Sequence, residues 1–189
     1  MTVVPETGVS RRTLVKGAAW AVPALAVATA APLAAASDPT PQPPVFDVSD
    51  GCATTGNGTG CAGGNKTPQV PFTVTNTTTD TLYLQVLGSQ SWIAGKPRPT
   101  SWSSARVFED NGTQNDCSPE YTETRCGGYI SVAVAAGETA SLWLVGTQLG
   151  SAGAFHMAIE YRWVEADCTV VVPTAQVTSG LISSSNNCA

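Results

Sequence analysis

Six cysteines carry the clearest chemistry in the sequence: Cys52, Cys61, Cys117, Cys126, Cys168 and Cys188. Their number is even, and in an oxidising compartment such thiols join in pairs, so disulfides are the expected outcome. Six cysteines allow fifteen connectivities. Loop composition favours neighbours, Cys52 with Cys61, Cys117 with Cys126 and Cys168 with Cys188. Gly51 to Asn65 is so rich in Gly, Asn and Thr that only covalent closure would order it. A closure of that size is worth roughly 2 to 3 kcal/mol. A structural zinc site would compete for the same thiols, but there is no C-x-x-C and His156 is the only histidine.

Other side chains offer less. His156, between Phe155 and Met157, reads as a strand histidine with satisfied hydrogen bonds, and no G-x-S-x-G or H-E-x-x-H accompanies it. Glu109, Asp110, Asp116, Glu120 and Glu123 could supply the two carboxyl groups of a glycoside hydrolase. The run from Glu109 to Asp116 could also offer oxygens to Ca²⁺. Any acidic chain contains such pairs, and the EF-hand spacing is missing, so a solvated polar loop is expected. Trp92 and Trp102 flank Lys96-Pro97-Arg98-Pro99. A proline-stiffened segment of this kind could hold two indoles as a stacking platform for sugar rings; the opposing reading is that both cap the core.

Three classes of function follow. The first is a non-catalytic exported protein with a surface or cell-envelope binding or structural role, in contact with wall glycan or a surface protein. The second is a carbohydrate-binding module acting through Trp92 and Trp102, and the third a small secreted hydrolase. No catalytic constellation is visible, so no enzyme activity, metal or cofactor is expected.

The elements that must position these groups are short strands. Val70, Phe72 and Val74 fall on one face of an alternating run, as do Leu82, Leu84 and Val86, with Thr77 to Asp80 as a turn. A hairpin is expected. Tyr129 to Val134 and Ala140 to Gly146 flank Ala136-Gly137-Glu138-Thr139 and predict a second hairpin with Gly137 at positive φ. Phe155, Met157, Ile159, Tyr161 and Trp163 alternate against His156, Ala158, Glu160 and Arg162. Further short strands are expected at 45–48, 105–108 and 168–172, an irregular stretch over 89–106, and a loose tail over 178–187. No amphipathic helix is evident, so the fold class is all-β, a two-layer antiparallel β-sandwich. The Ala-Gly-Glu-Thr turn resembles a feature of exported bacterial sandwiches of immunoglobulin-like type.

Ahead of these strands stands Ser10-Arg11-Arg12-Thr13-Leu14-Val15-Lys16, then an uncharged run interrupted by Pro23 and Pro32 and ending in Ala34-Ala35-Ala36. A positive n-region, an apolar segment and small residues at an A-x-A site make a cleavable leader, cut after Ala36 to leave Ser37 as the new N-terminus. The motif Ser10 to Lys16, with Arg11, Arg12 and Lys16 at its defining positions, resembles the twin-arginine export signal, as found in secreted proteins of high-GC Gram-positive bacteria. That resemblance implies the twin-arginine translocase and a signal peptidase as partners in export, a passenger that folds before transport, and a secreted or envelope-associated product. An alanine-rich run with two prolines is a poor permanent membrane span.

The expected organisation is a leader over 1–36, a proline-rich spacer over 37–44 and a disulfide-stapled domain over 45–189. The leader holds three of the nine basic residues and one of the fourteen acidic ones, so 37–189 carries six and thirteen, a net −7. Such a surface argues against nucleic acid and anionic lipid as partners.

Overall fold

Alternation builds the layers, and the turns decide how they are wired. A computed structural model of the chain describes residues 39–54, 67–110, 119–150, 153–183 and 187–188. The leader residues Arg11, Arg12, Lys16, Ala34, Ala36 and Ser37 lie outside the described residues, as do Cys61, Asp116 and Cys117.

The strands in chain order are β1 (Val45–Phe46), β2 (Cys52–Thr54), β3 (Pro68–Thr75), β4 (Leu82–Ile93), β5 (Arg106–Glu109), β6 (Thr124–Arg125), β7 (Tyr129–Val134), β8 (Thr139–Val145), β9 (Phe155–Val164), β10 (Val170–Thr178) and β11 (Asn187–Cys188). They form two sheets. Sheet A runs β11-β2-β3-β8-β5, with β1 also on β3, and sheet B runs β10-β9-β4-β7-β6. Every pairing is antiparallel except β11 with β2. The all-β two-layer sandwich is therefore the fold. Between the layers lie Val70, Phe72 and Val74 of β3, Leu142 and Leu144 of β8, Leu82, Leu84 and Val86 of β4, and the odd-numbered residues of β9 from Phe155 to Trp163, all buried.

Both expected hairpins are absent. β3 pairs with β8, and β4 with β7 and β9, so the turn at Thr77 to Asp80 carries the chain from one sheet to the other. The Ala136 to Thr139 turn does the same between β7 and β8, with Gly137 at φ 73° as its geometry requires. Alternation specifies which face is apolar but not the partner, and two amphipathic strands joined by a short turn can equally face each other across a core.

Asn76 holds both crossings together. Fully buried, it donates through Nδ2 to the carbonyls of Asp80 (2.7 Å) and Val134 (2.9 Å) and accepts at Oδ1 from the backbone N–H (3.0 Å) and hydroxyl (2.7 Å) of Thr78. Its own N–H donates to Glu138 O at 2.9 Å.

The neighbour pairing of cysteines is also overturned. Cys52 is joined to Cys188, and Cys126 to Cys168. Cys52 lies on β2 and Cys188 on β11, strands side by side in sheet A, while Cys126 and Cys168 close the turns after β6 and before β10 in sheet B. Sheet order brings Cys52 and Cys188 together, whereas Cys126–Cys168 links turns attached to strands at opposite edges of sheet B; neither pairing follows chain distance. The thiols of these four are consumed, which removes them as zinc ligands.

Three smaller expectations change as well. The segment taken as a spacer is docked from Pro39 onward: Pro41 and Pro44 are buried, and Gln42 N–H donates to Thr75 O at 2.9 Å. The tail expected to be loose is held where it is described, at Ile182 and at Cys188. Ile182 is fully buried and exchanges backbone hydrogen bonds with Phe155 at 2.9 and 3.0 Å. Residues 89–93 continue β4, and the strand expected at 168–172 begins at Val170 and runs to Thr178.

Candidate functional site on the outer face of sheet B

Trp92 reaches the surface by a count of one residue. From Tyr83 to Val86, β4 and β9 pair in constant register, Val86 opposite Tyr161; the next pair is Gly88 with Glu160, leaving Leu87 as a bulge. The even-numbered residues Leu82, Leu84 and Val86 face the core. Beyond the bulge the parity reverses, so Ser89 and Ser91 turn inward while Gly88, Gln90 and Trp92 turn outward. Unbroken alternation would have carried Trp92 into the interior.

On that outer face Trp92 stands opposite His156, their rings stacked with centroids 5.4 Å apart and planes at 29°. His156 Nδ1 lies 3.1 Å from Gly180 O, which assigns the proton to Nδ1. It is the satisfied strand histidine that its position on the strand predicts.

After a turn with Gly95 at φ 78°, the chain comes back beside β4, where Ser89 and Ser103 exchange backbone hydrogen bonds at 2.9 and 3.0 Å. The nearly buried Gln90 fastens this loop. Its Nε2 donates to Pro99 O (2.9 Å) and Ser101 O (3.0 Å), and its Oε1 accepts from Arg98 Nε (2.6 Å). Arg98 is thereby laid over both indoles, 5.4 Å from the Trp92 ring centre and 5.3 Å from that of Trp102. Its Nη2 donates to Gln176 Oε1 (3.2 Å), and Gln176 Nε2 donates to Glu160 Oε1 (3.1 Å).

The structure thus brings the two sequence-selected tryptophans to one point, both half-buried. It does not leave them as two open parallel plates. The one guanidinium of Arg98 lies over both rings, so the surface offers two half-buried indoles, an exposed arginine, and the amide and carboxylate of Gln176 and Glu160. Sequence reasoning missed Arg98 as the link, although its place between the two tryptophans is a usable signal. Gln90 and Gln176 carry no such signal, since their roles arise from strand register.

Trp102 lies across Gly88, where a Cβ would meet Trp102 Cβ at 3.0 Å and Ser103 O at 3.2 Å. Gly88→Val is expected to lift Trp102 off the sheet while leaving both indoles in the chain. Acrylamide quenching of tryptophan fluorescence should rise while the melting temperature falls only slightly, because the displaced loop is peripheral to the core. An unchanged quenching constant would show that Trp102 does not depend on the gap at Gly88.

Three of the five carboxylates considered for hydrolysis, Glu120, Glu123 and Asp110, are drawn into structural roles. Glu120 forms a two-bond pair with Arg106 at 2.7 and 2.8 Å, and hydrogen bonding to that guanidinium holds its carboxyl below the usual range. Glu123 pairs with Arg125 at 2.7 Å, and Asp110 accepts from Trp143 Nε1 at 3.1 Å. A groove of about 530 Å³ on the outer face of sheet A includes Phe46, Asp47, Pro71, Asp110 and Trp143 in its lining. Asp47 there is occupied by the N–H and hydroxyl of Ser49, which hold its carboxyl below the ordinary range. Among the described residues no group of three His, Cys, Asp or Glu is placed to hold a metal ion.

No family model matches the chain, and no curated protein matches it. Among solved structures it is similar to the ASH/PapD-like domain of human CEP192 (PapD-like domain 7), with 12% identity over 80% of this chain and 94% of that chain and a TM-score of 0.39.

Proposed function

We propose that this protein is an exported, non-catalytic binding domain of the cell envelope, with its contact surface on the outer face of sheet B around Trp92, Arg98 and Trp102. One observation carries the reading: a bulge and a buried glutamine act together to hold two tryptophans out of the core and against one exposed arginine. Half-buried aromatic edges beside fixed hydrogen-bonding groups are the composition of a recognition surface.

Export rests on the leader. The twin-arginine motif directs the chain out of the cytoplasm, cleavage after Ala36 releases it, and two disulfides suit an oxidising destination. A passenger folded before transport must cohere with its thiols still reduced, which the two-sheet core supports. Replacing Arg11 and Arg12 by lysine is expected to leave the precursor in the cytoplasm, as read by fractionation and immunoblotting. Export at the wild-type level would remove the twin-arginine route.

The binding reading is tested by pull-down of residues 37–189 on cell walls of the producing organism and on insoluble polysaccharides, with Trp92→Ala/Trp102→Ala in parallel. Retention of the wild type and its loss in the double variant are expected. Truncation of stacking residues at a recognition surface costs roughly 1 to 3 kcal/mol each. Equal retention of both proteins would move the contact surface elsewhere.

A further inference from the structure

We infer that the ligand of this surface is a carboxylate-bearing saccharide, with Arg98 as the group that receives the carboxylate. The inference rests on the binding role proposed above and adds the chemical class of what is bound.

Four arginines lie among the described residues, in a domain with twice as many acidic as basic side chains. Arg106 is paired with Glu120, and Arg125 with Glu123. Arg162 is half-buried; its Nε donates to Gln85 Oε1 (2.7 Å) and its Nη2 to Cys126 O (2.9 Å), which spends it on tying strands together. Arg98 is different. It is exposed, and its protein partners are two amide oxygens, on Gln90 and Gln176. The acid beyond them, Glu160, is engaged by Gln176 Nε2 instead.

Neutral acceptors on one edge of a guanidinium fix its plane without cancelling its charge. Gln90 is itself fastened by two backbone carbonyls, so the orientation of Arg98 is set before any ligand arrives, which lowers the entropy lost on binding. The guanidinium lies over both indoles, and with Nε bonded to Gln90 and Nη2 to Gln176, Nη1 is left as the donor for a ligand. A planar fork of donors with preset geometry matches a carboxylate. Lys96, exposed in the same loop, adds positive charge within about a Debye length of Arg98, so a carboxylate is attracted at this patch although the domain's net −7 opposes a polyanion spread over its whole surface.

The aromatic part decides for a saccharide over a bare anion. Trp92 and Trp102, half-buried against the guanidinium, offer apolar contact to the C–H side of a pyranose ring whose carboxylate reaches Arg98. With the indole faces toward Arg98 already occupied, a neutral sugar would lack the broad stacking plane that the sequence alone suggested.

The test measures affinity of residues 37–189 for polygalacturonate, alginate and hyaluronate and for the carboxyl-reduced, uncharged form of each, by affinity electrophoresis. Wild type is expected to bind at least one acidic polymer about tenfold more tightly than its reduced form, the share of one charge-assisted hydrogen-bond pair. Arg98→Gln should erase that ratio, whereas Trp92→Ala/Trp102→Ala should weaken both forms. Circular dichroism of each variant confirms folding, and Arg98→Lys, which keeps the charge without the fork, should retain only part of the ratio. Binding of acidic and reduced forms alike, still abolished by the tryptophan substitutions, would overturn the carboxylate inference and leave the binding surface standing. Binding by wild type that survives the tryptophan substitutions would overturn both readings, and failure of wild type to bind any of the three acidic polymers would overturn the carboxylate inference.

Discussion

Asn76→Ala is expected to lower the unfolding free energy by about 3 kcal/mol. Four side-chain hydrogen bonds are lost at a position with no solvent access, and the carbonyl of Val134 loses the buried donor that serves it. Removing one partner of a buried hydrogen bond costs more than the bond contributes, because the orphaned group is neither hydrated nor paired. Urea denaturation reads the change directly. Asn76→Asp separates hydrogen bonding from shape. The carboxylate has the size of the amide, yet it sets a negative oxygen against the carbonyls of Asp80 and Val134, so at neutral pH it should be no more stable than the alanine variant. Protonation restores one donor. The folded state therefore raises the pKa of this carboxyl, and the variant should gain stability as pH falls toward the ordinary carboxylate range. An Asn76→Asp domain as stable as wild type at pH 7 would show that Asn76 does not clasp the two crossings.

Opening the disulfide between Cys52 and Cys188 by double serine substitution should destabilise the oxidised domain by about 4 to 5 kcal/mol, and opening Cys126–Cys168 by about 3 to 4. The difference follows from loop closure. The first bridge spans 136 residues of sequence and the second 42, and the longer loop loses more freedom in the unfolded chain. Packing acts in the same direction: Cys52 and Cys188 are buried with Phe108, Trp143 and Val145 on the outer face of sheet A, whereas Cys168 is exposed. Mild reductant followed by alkylation should accordingly label Cys126 and Cys168 first, with Cys52 and Cys188 protected until the domain unfolds. Peptide mapping without reductant checks the connectivity itself. A peptide joining Cys52 to Cys61 would contradict the side-by-side placement of β2 and β11.

The sequence by itself determined the layers. Alternating Val70, Phe72 and Val74, the odd-numbered residues of β9, and the absence of any helical periodicity are local properties, and a two-sided β-sandwich is what such strands must form to bury one face each. His156 as a satisfied strand residue, Gly137 at positive φ, and the inward faces of β3 and of β4 ahead of its bulge were legible for the same reason. Partner choice was not. The turns at Thr77 to Asp80 and Ala136 to Thr139 have hairpin-like lengths, yet each carries the chain across the core, and the strand ladders together with the contacts of Asn76 with Val134 and Glu138 hold that alternative in place. Cysteine pairing failed with it, because which thiols meet depends on the tertiary placement of strands and turns: adjacent strands for Cys52 and Cys188, turns reaching across sheet B for Cys126 and Cys168. The site divided along the same line. Trp92, Trp102 and the prolines between them marked the segment, but a single bulge at Leu87 decided that Trp92 faces outward, and strand register delivered Gln90 and Gln176 to Arg98 and set Glu160 against Gln176. A period of two tells each residue its face only while the count is unbroken; one inserted residue reverses every face after it, and where that residue is accommodated is settled by the packing of the whole sheet.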